Sequence, residues 1–153
     1  MYSPLLIIHS LLRWAVLALG AMAFARAVAG ARARRGWTAA DDRAGLWFSV
    51  IVDIQFLLGL ALYVKFSPMT QIAFQDFGAA MANPVLRFWA VEHALGMIVG
   101  IALVHIGRVR IRKTADAAKR HRLAAIFFGL GLAAMLLTIP WPGTPAARPF
   151  FHF

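Results

Sequence analysis

The stretch PLLIIHSLLRWAVLALGAMAF, residues 4–24, is apolar from end to end except for His9, Ser10 and Arg13. A helix rises ~1.5 Å per residue, so a run of this length crosses a hydrocarbon core ~30 Å thick. Three further runs of similar character follow at residues 46–64, 85–107 and 123–139. With 153 residues, 61% of them hydrophobic, and a mean hydropathy of +0.72, the chain is too apolar for a soluble domain. The expected fold class is all-α: one integral membrane domain over residues 1–153, built as an up-down-up-down four-helix bundle.

Charge distribution sets the expected orientation. The formal net charge is +10, and the cations cluster in two connections. Arg26, Arg32, Arg34, Arg35 and Arg43 lie between runs one and two; Arg108, Arg110, Arg112, Lys113, Lys119, Arg120 and Arg122 lie between three and four. The connection between runs two and three has only Lys65 and Arg87 at its edges, and the tail only Arg148. By the positive-inside rule the two basic connections are cytoplasmic and both termini face outward. Read this way, the cations serve topology and lipid headgroups, and no nucleic-acid partner is expected.

Cysteine is absent, which excludes disulfides, iron-sulfur clusters, thiolate zinc sites and covalent haem attachment. The start of the chain has no basic region followed by a small-residue cleavage site, so the first run is expected to stay as an anchor. No serine sits beside a base in a recognisable motif and no glycine-rich phosphate loop occurs, so no catalytic residue is assigned.

Local signals mark the helix ends. Thr38 with Asp41 has the spacing of a capping box and starts helix two before the membrane, while Thr114 with Asp116 starts helix four. Pro140 and Pro142 stop that last helix. Between Ser67 and Pro84, Ile72, Phe74, Phe77 and Met81 alternate with Gln71, Gln75 and Asp76, the pattern of a short interfacial helix on the outer surface. Trp141, Phe150, Phe151 and Phe153 suit an outer aromatic belt, and Gly96, Gly100, Gly129 and Gly131 allow close helix approach.

Ionisable residues inside a spanning run are functional candidates by default, because hydrocarbon penalises them. Counted from Pro4 and Pro84, His9 lies about 8 Å deep, Glu92 about 12 Å, and Arg13 and His93 about 14 Å. On the second run Gln55 lies about 17 Å and Asp53 about 20 Å deep, bordering the same layer. Two histidines at similar depth on different helices meet the requirement of a bis-imidazole b-type haem, with His9 and His93 as metal ligands. Arg13, Glu92, Gln55 and Asp53 would surround the cofactor, and Arg87, Arg148 or Lys65 would pair with its propionates. Two alternatives stand beside this: a buried polar network that fixes helix pairing in a non-catalytic accessory subunit, and a proton or solute pathway through Arg13, Asp53 and Glu92. His105, about 120° and ~18 Å from His93, is expected at an interface, and His121 and His152 in solvated positions.

The segments HSLLRW (residues 9–14), DIQFLLG (53–59), RFWAVEH (87–93), HIGR (105–108) and IPWP (139–142) resemble a family of small bacterial four-span membrane proteins labelled cytochrome b-like. The resemblance covers nearly the whole chain. It implies an inner-membrane location, four helices and haem carried by His9 and His93. Classical cytochrome b helices carry two histidines 13 or 14 residues apart, a pattern this chain lacks, so one haem is expected and not a two-haem wire. The expected activity is electron transfer to or from a membrane quinone or a larger respiratory assembly.

Overall fold

A computed structural model describes residues 2–150 of the chain. Among these residues there are helices and connections but no strands. Four helical segments are long and apolar enough to cross a membrane: Tyr2–Arg32, Ala39–Phe66, Pro84–Arg112 and Ala117–Thr138. They contain the four runs expected from hydropathy, and the first overshoots its apolar part because the alanine-rich stretch after Phe24 favours helix.

Helix α1 (Tyr2–Arg32) leads through a short connection to α2 (Ala39–Ala61), which ends in a π-helical turn, Leu62–Phe66. The capping box at its start is formed: Thr38 Oγ1 accepts from the Asp41 amide at 3.3 Å, and Asp41 Oδ2 accepts from the Thr38 amide at 3.0 Å. The segment expected as one interfacial helix is two short ones, α3 (Pro68–Gln75) and α4 (Phe77–Ala82), and α5 (Pro84–Arg87) opens the third long segment. The breaks fall where Asp76 and Asn83 turn their side chains onto the following amides, capping α4 and α5 instead of continuing the preceding helix. A second π turn, Phe88–Glu92, joins α5 to α6 (His93–Arg112). Helix α7 (Ala117–Thr138) is capped by Asp116, which accepts from the Lys119 amide at 2.7 Å, and it stops just ahead of Pro140. Thr114 takes no part in that cap, since its hydroxyl donates back to the Arg110 carbonyl at 2.9 Å.

The long helices pack in the cyclic order α1, α2, α6, α7, with α6 against α7 the most extensive contact and α2 against α6 the sparsest of the four. The α6–α7 approach depends on glycine. A Cβ on Gly100 would lie 3.1 Å from the Gly131 carbonyl oxygen, and one on Gly131 would lie 3.0 Å from that of Gly100. The core between the helices includes Val16, Val52, Val104 and Met135, with Phe48 meeting Phe128 edge-on at 5.7 Å.

Polar ties close the end of the assembly nearest Asp41. This carboxylate, 3% exposed, accepts from Arg26 at 2.9 Å, from Arg35 at 2.7 Å and from the Thr38 hydroxyl at 2.7 Å. Its hydrogen bond pushes the Arg35 guanidinium above its ordinary value. Arg108, largely buried on α6, donates to Asp42 at 3.0 Å and so ties α6 to the start of α2. His121 corrects an expectation: it is fully buried, packed against Gly30 and 4.9 Å from the Trp37 ring. The basic residues around it led to a solvated assignment, but α7 begins ahead of its apolar part and turns this position inward.

Candidate functional site

The opposite end, nearest Tyr2, encloses a cavity of about 270 Å³. Its lining comes from α1, α2, both π turns, α3, α6, α7 and the residues after α7, and it is mostly apolar, with Val16, Phe56, Met97 and Met135 among its walls. Into this apolar surround come His9, Arg13, Gln55, His93 and Arg148. His9 and His93, expected from the sequence in one layer, both line this one space.

The two imidazoles differ in what holds them. His93 Nδ1 lies 2.7 Å from the Thr138 carbonyl oxygen, an acceptor that requires the proton on Nδ1 and leaves Nε2 directed away from this bond. Trp89 and Phe88 flank that ring at 5.5 and 5.9 Å. A π turn immediately before His93 inserts one residue per turn relative to an α-helix, which rotates Trp89 and His93 onto the cavity side together. His9 is positioned through its backbone, whose carbonyl accepts from Gln55 Nε2 at 2.8 Å. Its Nδ1 is buried with no hydrogen-bond partner. Gly59 of α2 faces it so closely that a Cβ there would lie 3.0 Å from His9 Cε1.

Two cations line the same cavity as the histidines. Arg13, 9% exposed, donates to the Phe150 carbonyl at 2.7 Å and lies over the rings of Trp14 and Trp141. Arg148 donates to the Tyr2 hydroxyl at 3.2 Å and lies over Trp89. The chain after α7 therefore folds back across this end, with Phe150 packed on Trp14 and Trp141. Phe151, Phe153 and His152, also named from the sequence, lie outside the described residues.

Two of the expected site residues are elsewhere. Glu92 pairs with Arg87 at 2.7 Å on the surface, with both side chains about half exposed, and does not line the cavity. Asp53 also lies off the cavity; its Oδ1 is 2.7 Å from His105 Nε2, a pair that bridges α2 and α6. Conversely, Gly59, Tyr63, Trp89 and Thr138 belong to the cavity region and were not anticipated. Tyr63 donates to the Ala90 carbonyl at 2.6 Å, tying one π turn to the other. Thr138 was the one with a visible signal, as the lone hydroxyl in the apolar run of α7.

Two imidazoles on this cavity, those of His9 and His93, are the side chains that could hold a haem. An unpartnered buried imidazole nitrogen on His9 carries a desolvation penalty that a ligand bond would relieve, and the His93 arrangement is that of an imidazole oriented by a carbonyl with its other nitrogen available. Arg148 lines the same space and offers a cation for a propionate, whereas Arg87 and Lys65 do not line it. Among the described residues no group of three or more histidine or acidic side chains is assembled that could hold a metal ion. No family model matches the chain, and no curated protein or solved structure is similar to it.

Proposed function

We propose that the protein is an integral membrane b-type haem protein whose haem is held by His9 and His93. The observation that carries this reading is the convergence of two imidazoles on one cavity from α1 and α6, which are not neighbours in the helix order. The four long helices form an up-down-up-down bundle in a bacterial inner membrane, with α3 and α4 on the outer surface. Both termini face the periplasm, since the basic connections between α1 and α2 and between α6 and α7 belong on the cytoplasmic side. The segments that resemble cytochrome b-like proteins include HSLLRW and RFWAVEH, which supply both histidines.

When bound, the haem supplies one-electron transfer; its partners are a membrane quinone or a larger respiratory assembly. The chain's own residues bind and tune. Thr138 orients the His93 ring, Gln55 and Gly59 set the position of His9, and Arg148 would donate to a propionate. Arg13, a cation within electrostatic reach of both histidines, favours the reduced state.

One set of contacts favours a second reading, a non-catalytic accessory subunit. The bonds from Gln55 to the His9 carbonyl and from Arg13 to the Phe150 carbonyl tie helices and tail together with or without a cofactor. A reduced-minus-oxidised absorption spectrum of protein purified from haem-sufficient cells separates the two. Haem protein gives a b-type difference spectrum that is lost in His9→Ala and in His93→Ala but kept in Glu92→Gln, whose side chain lies off the cavity. A folded, helical protein with no haem bands would refute the cytochrome reading and leave the accessory one.

A further inference from the structure

Of the residues that line the cavity, two are also exposed on the outside of the bundle: Leu60 of α2, at 43%, and Ile98 of α6, at 52%. Every other lining residue is buried or partly buried. At its outer end the cavity is bounded by Ser67, by the buried Thr70 and by Arg148, which donates to the Tyr2 hydroxyl. The thin part of the enclosure is therefore a side wall, between α2 and α6.

Helix register puts Leu60 and Ile98 at one level. The two helices run in opposite directions, and Asp53 meets His105 at 2.7 Å. Leu60 and Ile98 each lie two turns outward from that pair, on the same helix faces. Depth counting sets the pair toward the inner boundary, so Leu60 and Ile98 lie about 10 Å further out, within hydrocarbon. A second tie, from Tyr63 to the Ala90 carbonyl at 2.6 Å, closes the seam at its outer end. Between the two ties α2 advances about 15 Å. Over that length α2 and α6 face each other with the sparsest packing of the four neighbouring helix pairs. The result is an apolar slot, fastened at both ends, that leads from the bilayer to the cavity.

This slot deepens the haem reading above, from which its purpose follows, and it separates the two redox partners named there. A partner that reaches the cavity through hydrocarbon has to be dissolved in hydrocarbon, as a prenyl quinone is and a protein assembly is not. We propose that the slot is a quinone-docking site, with the ring between Leu60 and Ile98 and the prenyl tail left in the bilayer. Two buried atoms on the cavity residues have no hydrogen-bond partner: Arg13 Nε and Gln55 Oε1. The first is a donor for the carbonyl of the quinone, and the second an acceptor for the hydroxyl of the quinol. Phe56 and Met97, from the same two helices, supply apolar surface for the ring.

A prenyl benzoquinone carrying a photoreactive azide on its ring tests the dock in vesicles containing the parent protein. Trypsin separates the walls: residues 44–65 hold Leu60, residues 88–108 hold Ile98, and the fragment starting at residue 123 holds Leu130, a 53% exposed side chain of α7. Label is expected in the first two fragments, competed by unlabelled quinone, with no competed label in the third. Ala94→Leu adds bulk to the slot one turn outward of Ile98 and should lower the competed labelling roughly tenfold. Leu130→Trp should leave it unchanged. Equal labelling of the α7 fragment, or label that unlabelled quinone does not compete, would overturn the dock. So would parent-level labelling in an Ala94→Leu protein that is folded by circular dichroism; should that variant not fold, the fragment map of the parent decides. The reduced-minus-oxidised spectrum of the same preparation tests the haem reading separately. Competed label without haem bands refutes the haem, and haem bands without competed label refute the dock.

Discussion

Gly96→Ala tests the link between helix packing and the orientation of His93. A Cβ at this position would stand 2.2 Å from Thr138 Cγ2, 2.5 Å from Oγ1 and 2.7 Å from Cβ. Rotating the threonine side chain relieves the first two contacts but not the third, because Cβ does not move with χ1. At 2.7 Å that contact is about 0.7 Å inside the 3.4 Å of ordinary van der Waals approach, so the backbone of α6 or α7 must shift by about that much. Thr138 also provides the carbonyl that holds His93 Nδ1 at 2.7 Å. A displacement of the same size along that bond takes it to about 3.4 Å, beyond useful hydrogen-bonding distance. Overpacking costs about 1–3 kcal/mol and the lost bond about 1 kcal/mol, against less than about 1 kcal/mol regained from replacing a helical glycine. The variant should therefore melt roughly 5 °C or more below the parent in detergent, and, under the haem reading proposed above, its absorption spectrum should change. Gly36→Ala is the control, since nothing lies within 4 Å of a Cβ there. A Gly96→Ala protein that melts with the parent and keeps its spectrum would refute the reasoning that α7 sets the His93 ring.

Other outcomes follow from single contacts. Tyr63→Phe removes the 2.6 Å bond to the Ala90 carbonyl and should cost about 1 kcal/mol in thermal or denaturant unfolding, through loosening of the π turn before His93. Arg13→Ala removes one of two donors to the Phe150 carbonyl and leaves Trp14 Nε1 at 3.1 Å, so limited proteolysis should cut the chain after α7 faster than in the parent; under the haem reading proposed above, the midpoint in redox titration should fall with loss of a nearby cation. Asp41→Ala removes the helix cap and leaves Arg26 and Arg35 without their acceptor. Because both arginines are about one-third exposed, the expected loss is about 2 kcal/mol in unfolding, nearer a cap deletion than a broken buried pair.

Much of this molecule is written in its local composition. Four apolar runs, the Thr38–Asp41 capping box and the prolines after residue 139 determine helix number and most of the helix ends, because hydropathy and capping act over a few neighbouring residues. Depth counting along helices also placed His9 and His93 in a common layer, since rise per residue is nearly constant. Which way each side chain turns is a different matter. The π turn Phe88–Glu92 changes the helical phase just before His93, and Glu92, adjacent to it, swings out to Arg87. Asp53 sits at a depth suited to the cavity yet points to His105, and His121, among basic neighbours, turns into the core. Azimuth around a helix axis is settled by helix phase and by which partners pack where, and both depend on residues far away in the chain. That is why the sequence alone determined the spans and the layer, while only the tertiary structure decided that His9, Gln55 and His93 share one cavity and that Asp53 and His105 face outward together.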